Sequence, residues 1–179
     1  MVAVAWFLLG AAALSAQSGH LELFSGIYQS HSDTVGEEEI YGVRGGYDFA
    51  PTWGAEVSAG QFEKGAERII EGFVAPRKIR LQVFSFDLSF VWRPVGDGLM
   101  LFAGPGLVDV DLEEFIETTE GEEVRLQSAQ DLSWHAGAAY RWSLSPGFYL
   151  RADVRGRYSK TDLYEQQDYE ATVAAGWRF

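Results

Sequence analysis

The sequence predicts an all-β domain, an eight-stranded antiparallel up-and-down transmembrane β-barrel, and three observations carry that prediction. From Tyr169 to Phe179 one face holds Tyr169, Ala171, Val173, Ala175, Trp177 and Phe179, while the other holds Glu170, Thr172, Ala174, Gly176 and Arg178. The same period of two recurs in almost every segment. The segments are joined by connections that alternate between short turns and long polar stretches. A strand with one apolar and one polar side, repeated until the sheet closes, places lipid outside and a polar lumen inside.

The elements follow in order. The 179 residues suffice for one domain, and after the first twenty no stretch is apolar for long enough to cross a bilayer as a helix. Residues 1–18 read as a signal peptide: an uncharged apolar run from Val2 to Leu14 is followed by small residues, with cleavage near Ala16 or Ser18. The barrel occupies residues 19–179, with strands at about 20–30, 39–49, 53–62, 78–92, 98–111, 130–142, 148–158 and 169–179. In the second strand Tyr41, Val43, Tyr47 and Phe49 oppose Ile40, Arg44 and Asp48; in the fourth, Phe84, Phe86, Leu88, Phe90 and Trp92 oppose Val83, Ser85, Asp87, Ser89 and Val91. In the sixth, Leu132, Trp134, Tyr140 and Trp142 oppose Ser133, His135 and Arg141. The seventh sets Phe148, Leu150, Ala152, Val154 and Tyr158 against Tyr149, Arg151, Asp153, Arg155 and Arg157. The first and third strands alternate less cleanly. In the fifth, Leu101 to Leu107 is apolar or glycine at every position but Pro105, so its lipid-facing parity is not decided by the sequence.

Connections after the second, fourth and sixth strands are turn-like (Ala50 to Thr52, Arg93 to Asp97, Ser143 to Gly147), whereas those after the others run from His31 to Glu38, Glu63 to Arg77, Asp111 to Ala129 and Ser159 to Asp168. Short periplasmic turns and long extracellular loops are what an even-stranded outer-membrane barrel requires. Phe49, Trp53, Trp92, Trp142, Phe148, Trp177 and Phe179 all adjoin a short turn or the carboxyl terminus with outward parity, forming a predicted membrane-interface girdle. Tyr41, Trp134, Tyr158 and Tyr169 form the opposite belt.

Residues 20–179 resemble the small outer-membrane β-barrel family that includes the OmpA transmembrane domain, OmpX and OmpW. The likeness rests on Arg44 to Glu56, a strand–turn–strand, on the glycine-rich Leu101 to Leu107, and on the ending Gly176-Trp177-Arg178-Phe179. That resemblance implies a bacterial outer-membrane location, surrounding lipid and lipopolysaccharide as partners, and an assembly signal at Tyr169, Trp177 and Phe179 read by the barrel-assembly machinery. It does not carry over the peptidoglycan-binding domain of OmpA.

An eight-stranded barrel is narrow enough to be filled by its own side chains. The inward parity is read as Glu22, Arg44, Asp48, Glu56, Arg80, Asp87, Arg141, Arg151, Asp153, Arg155, Arg157, Glu170 and Arg178, a nearly balanced set that predicts an ion-pair network plugging the lumen. Glu56, Asp87 and Glu170 are the expected partners of the strand-seven arginines. The sequence has no cysteine, hence neither disulfides nor a lipidated cysteine, and its net charge of −12 speaks against nucleic acid.

No catalytic, cofactor or metal site is predicted. His20, His31 and His135 lack ligand spacing, and Glu37 to Glu39 and Glu113 to Glu117 lack the pattern of a calcium loop. The His-x-Ser pair of lipid A deacylases has Arg157 and Ser159 as its nearest equivalent, without the imidazole base; Ser133 and His135 share a face, but no carboxylate on that strand orients the histidine. The expectation is therefore a monomeric, non-enzymatic barrel with a structural or surface-interaction role and acidic extracellular loops. The alternatives are a narrow porin-like channel for small solutes and, third, a lipid A-modifying hydrolase.

Overall fold

The computed structural model describes residues 19–30, 37–68, 77–96, 98–118, 121–160 and 165–179. The predicted signal peptide and the stretch 31–36, which includes His31, lie outside the described residues. The rest forms eight strands: β1 (Gly19–Ser30), β2 (Glu37–Ala50), β3 (Trp53–Arg68), β4 (Arg77–Val95), β5 (Leu99–Thr118), β6 (Gly121–Ser145), β7 (Phe148–Lys160) and β8 (Glu165–Arg178). Each pairs antiparallel with the next, and β1 pairs with β8 to close the barrel. Starting at Gly19 and passing through Tyr47, Ala55, Phe90, Ala103, Ala136, Gly156 and Tyr169, the register returns to β1 at Gln29, ten residues further on. That stagger tilts the strands and leaves an interior for side chains to fill.

The turns are made by the residues that punctuate the sequence. Pro51 and Thr52 join β2 to β3, and Gly147 in the β6–β7 turn has φ 86°, a left-handed backbone that favours glycine. Strand-five packing also requires glycine: a Cβ at Gly104 would stand 1.9 Å from the carbonyl oxygen of Leu88. Beside it, Pro105 has no N–H to offer the ladder, and the β4–β5 register skips from Asp87↔Gly106 to Phe90↔Ala103.

At the ends opposite these turns the strands run further than the alternation indicates. The stretch from Asp111 to Ala129, expected as a loop, is mostly β-hairpin, with pairs continuing to Thr118↔Gly121. Once a hairpin rises beyond the bilayer both faces meet water, so its backbone pairing persists without apolar alternation in the side chains. β6 stays bonded to β5 along this extension, but its pairing with β7 begins only at Ser133↔Ser159. Among the described residues, β6 from Gly121 to Leu132 therefore has one free edge.

Facing follows parity. The outward residues named for β2, β4, β6, β7 and β8 are exposed or half-buried, and their alternates turn inward. β5, undecided from sequence, turns Met100, Phe102, Val108 and Val110 inward and leaves Leu101 and Leu107 exposed. Both of its faces are apolar, so alternation had no contrast to offer. Phe24, Tyr28, Ile40, Phe62, Val83, Val108 and Val110 pack together inside the barrel toward the long-connection end. Trp53, Trp92, Trp142, Trp177, Phe49 and Phe179 are exposed at the turn end, Phe148 is half-buried opposite Trp177, and Trp53 stacks on Trp92 at 6.2 Å.

Candidate functional site

Most of the charged side chains that meet among the described residues meet in the lumen, because period-two geometry sends every second residue of eight strands into a narrow tube. Six arginines (Arg44, Arg93, Arg141, Arg151, Arg155, Arg157) and six carboxylates (Glu22, Glu56, Asp87, Asp153, Asp168, Glu170) are buried. They form two knots.

In the knot nearer the turns, Arg44 Nη1 donates to Glu22 Oε2 at 2.8 Å and to Asp153 Oδ2 at 3.1 Å. Arg151 Nη1 donates to both oxygens of Glu56 at 2.9 Å and lies 3.4 Å from Glu22 Oε1. The Tyr149 hydroxyl donates to Glu22 at 2.8 Å. These groups come from β1, β2, β3 and β7 and join across the tube.

In the second knot Asp87 of β4 is the hub. Arg157 grips it with two nitrogens, at 2.7 and 2.8 Å, and also donates to Glu170 at 2.9 Å. Arg155 donates to the same Asp87 carboxylate at 2.5 Å. Phe102 lies between the knots, with the Arg151 and Arg155 guanidiniums 5.5 and 5.2 Å from its ring centre. Toward the long-connection end the Tyr28 hydroxyl donates to Asp168.

Arg80 is a correction. It shares the parity of Phe84 and Phe86, not that of Asp87, and its side chain is 47% exposed on the outer wall. There, above the upper aromatic belt, it donates to Glu63 and reaches Glu113 at 4.0 Å; its hydrogen bond holds the Glu63 carboxyl below the ordinary carboxylate range. The structure supplies an inward arginine in its stead. Arg93 lies one pleat beyond Val91, carries inward parity, and donates to Asp48. Its place in what reads as a turn concealed it, although continuing the strand-four alternation reaches it. Arg178 sits half-buried with Nη2 4.0 Å from Asp48.

His135 is also placed differently from its sequence neighbourhood. Its Nε2 lies 2.7 Å from Ser89 Oγ and its Nδ1 3.6 Å from Asp87 Oδ1, while Ser133 instead accepts a hydrogen bond from Arg157 at 3.2 Å. The carboxylate and serine both come from β4, 46 positions away from His135 in the case of Ser89. The order Ser89–His135–Asp87 resembles a hydrolytic triad in outline, yet the serine is 2% exposed and the aspartate is saturated by two arginines.

Among the described residues, His20, Glu22 and Glu56 bring potential metal-ligand atoms within 4.8 Å of one another. Arg44 and Arg151 already neutralise both carboxylates, so a divalent cation would enter against two guanidiniums. This grouping was invisible in the sequence because the three residues lie on two strands.

A closed barrel with an apolar outer wall, aromatic belts and an ion-paired interior defines a transmembrane β-barrel of the outer membrane. The chain belongs to the outer membrane protein beta-barrel domain family, which matches residues 1–179, and the protein resides in the bacterial outer membrane. Solved structures agree in fold. Ail, the attachment invasion locus protein of Yersinia pestis, crystallised with the heparin analogue sucrose octasulfate, is 19% identical with a TM-score of 0.62, over 90% of this chain and 97% of that one. Neisserial surface protein A is 12% identical with a TM-score of 0.58, over 90% and 97%. The N-terminal β-barrel domain of OprF from Pseudomonas aeruginosa is 17% identical with a TM-score of 0.53, over 92% and 98%. Comparison with curated protein sequences finds no match. In outer-membrane barrels short turns lie on the periplasmic side and long connections outside the cell.

Proposed function

We propose that the protein is a non-catalytic, non-conducting outer-membrane barrel with a structural or surface-interaction role, monomeric in a bilayer of phospholipid and lipopolysaccharide. It reaches that membrane through the barrel-assembly machinery reading Tyr169, Trp177 and Phe179. One observation carries the reading: the middle of the lumen is blocked by two ion-pair knots and, above them, by the apolar group from Phe24 to Val110. Ions crossing the tube would have to break several buried pairs, each held by charge-assisted hydrogen bonds. Purified protein in planar bilayers is expected to show no steady conductance, whereas Arg151→Ala and Arg155→Ala open intermittent current by emptying the knots. A large, stable wild-type conductance unchanged by either substitution would instead favour the narrow channel.

A surface role is supported by the β5–β6 hairpin. Among the described residues its β6 edge has no β7 partner above Ser133, beside exposed Val124 and Leu126, and such an edge is a template for another extended chain. Exposed Asp109 and Asp111 make the outer wall of β5 below the hairpin acidic. Ail and Neisserial surface protein A, named for attachment and for the surface, fit the same reading. Replacing residues 114–125 by a two-residue turn is expected to leave the barrel folded, read as an unchanged electrophoretic shift on boiling, and to lower adhesion of cells displaying the protein. Unchanged adhesion would remove the hairpin from the interaction surface.

A further inference from the structure

The lumen charges are not evenly distributed, and the imbalance sits at the periplasmic mouth. There the even-numbered strands each contribute one charged residue: Asp48 from β2, Arg93 from β4, Arg141 from β6 and Arg178 from β8. The three arginines are fixed at a common rim by their backbones, since Arg93 N donates to Thr52 O, Arg141 N to Gly98 O and Arg178 N to Gly147 O, one at each short turn. Among the described residues these three guanidiniums and one carboxylate sum to a formal +2.

Asp48 is engaged by Arg93 and lies within 4.0 Å of Arg178. Arg141 is left over. Its side chain is buried, at 4% exposure, and among the described residues none of its three guanidinium nitrogens has a hydrogen-bond partner. Its nearest carboxylate oxygen is Glu22 Oε1 at 3.7 Å, and Glu22 is already committed to Arg44 and Tyr149 at 2.8 Å each. The cross-strand neighbour of Arg141 is Arg151, another cation. Its Cζ rests 4.3 Å from the centre of the Tyr149 ring, a contact that holds the guanidinium without using its N–H groups. Buried guanidiniums are nearly always hydrogen-bonded, so this one is a donor awaiting an acceptor.

We propose that the periplasmic mouth is a binding site for a small free oxyanion of the phosphate class, taken from the periplasm and held by Arg141, with Arg93 and Arg178 supplying the attracting potential. A guanidinium matches the paired oxygens of phosphate, and three arginines against one carboxylate favour an anion at the rim. Arg178 is 30% exposed, which leaves the rim in contact with solvent. The source is free anion, because phospholipid headgroups touch the outer wall and Arg141 points into the tube. The proposal does not depend on whether the lumen conducts.

The test uses the folded protein in a non-ionic, phosphate-free detergent, with the thermal unfolding midpoint followed during titration by inorganic phosphate against sodium chloride of equal ionic strength. Phosphate is expected to raise the midpoint saturably where chloride does not, and Arg141→Gln to weaken the apparent affinity at least about tenfold. Should that variant fail to fold, Arg178→Gln, at the solvent edge, is expected to weaken it severalfold. The proposal is overturned if chloride and phosphate act alike, if the wild type does not respond, if a folded Arg141→Gln binds as the wild type does, or if only phosphatidylglycerol added to the micelles raises the midpoint.

Discussion

Asp87→Ala is expected to destabilise the folded barrel by about 3–5 kcal/mol, the cost of leaving buried charge without its partner. Asp87 is the common acceptor for Arg155 and for two nitrogens of Arg157, and it also stands 3.6 Å from His135. Removing it strands two guanidiniums in a tube where neither rotates out to water. Glu170 retains contact with both, at 2.9 Å to Arg157 and 3.8 Å to Arg155, but one carboxylate does not neutralise two cations. Urea unfolding of the barrel in lipid vesicles measures the loss, and Asp87→Asn, which keeps an acceptor oxygen and loses the charge, is expected to fall between the two. A loss below about 1 kcal/mol for Asp87→Ala would mean that water enters the knot freely, which the burial of all three partners argues against.

The next residue obeys the opposite rule. Leu88→Arg is expected to cost about 2–4 kcal/mol, the penalty for placing a cation on the lipid face near the bilayer midplane. Leu88 is exposed on the outer wall, between Trp92 at the periplasmic belt and Gln82 toward the cell exterior, so its substituent meets hydrocarbon. Trp92→Arg, at the interface, is expected to cost only about 0–1 kcal/mol in electrostatic terms, apart from the loss of its stacking on Trp53. The same vesicle unfolding assay compares both. An unchanged stability for Leu88→Arg would place the outer face of β4 in water and dissolve the membrane assignment. The pair Asp87 and Leu88 shows that adjacent positions tolerate opposite chemistries because a strand turns them to different solvents.

Where side-chain alternation had contrast, the sequence was legible. The facing of β2, β4, β6, β7 and β8, the three short turns and the exposed tryptophans can be read from period and punctuation alone, because inside a bilayer each strand must be apolar on one face and polar on the other. Where the contrast failed, reading failed. β5 is apolar on both faces, inward through Phe102 and Val108 and outward through Leu101 and Leu107. The hairpin from Asp111 to Ala129 mixes polar and apolar residues on both faces, and water on each side left its pairing without a signature. Arg80 was assigned to the lumen against the parity of its own strand, while Arg93 was hidden in an apparent turn.

By itself, then, the sequence determined that this protein is a closed membrane barrel, since period two, an apolar face and alternating connections admit few other packings. On β2, β6, β7 and β8 it also determined which face lines the interior. Only the tertiary structure decided which charges meet. Asp87 gathers Arg155 and Arg157, His135 reaches Ser89 instead of Ser133, and Arg141 at the mouth makes no hydrogen bond among the described residues, because partners inside the tube are set by strand stagger and by side-chain reach across it. Separation along the chain carries no record of either.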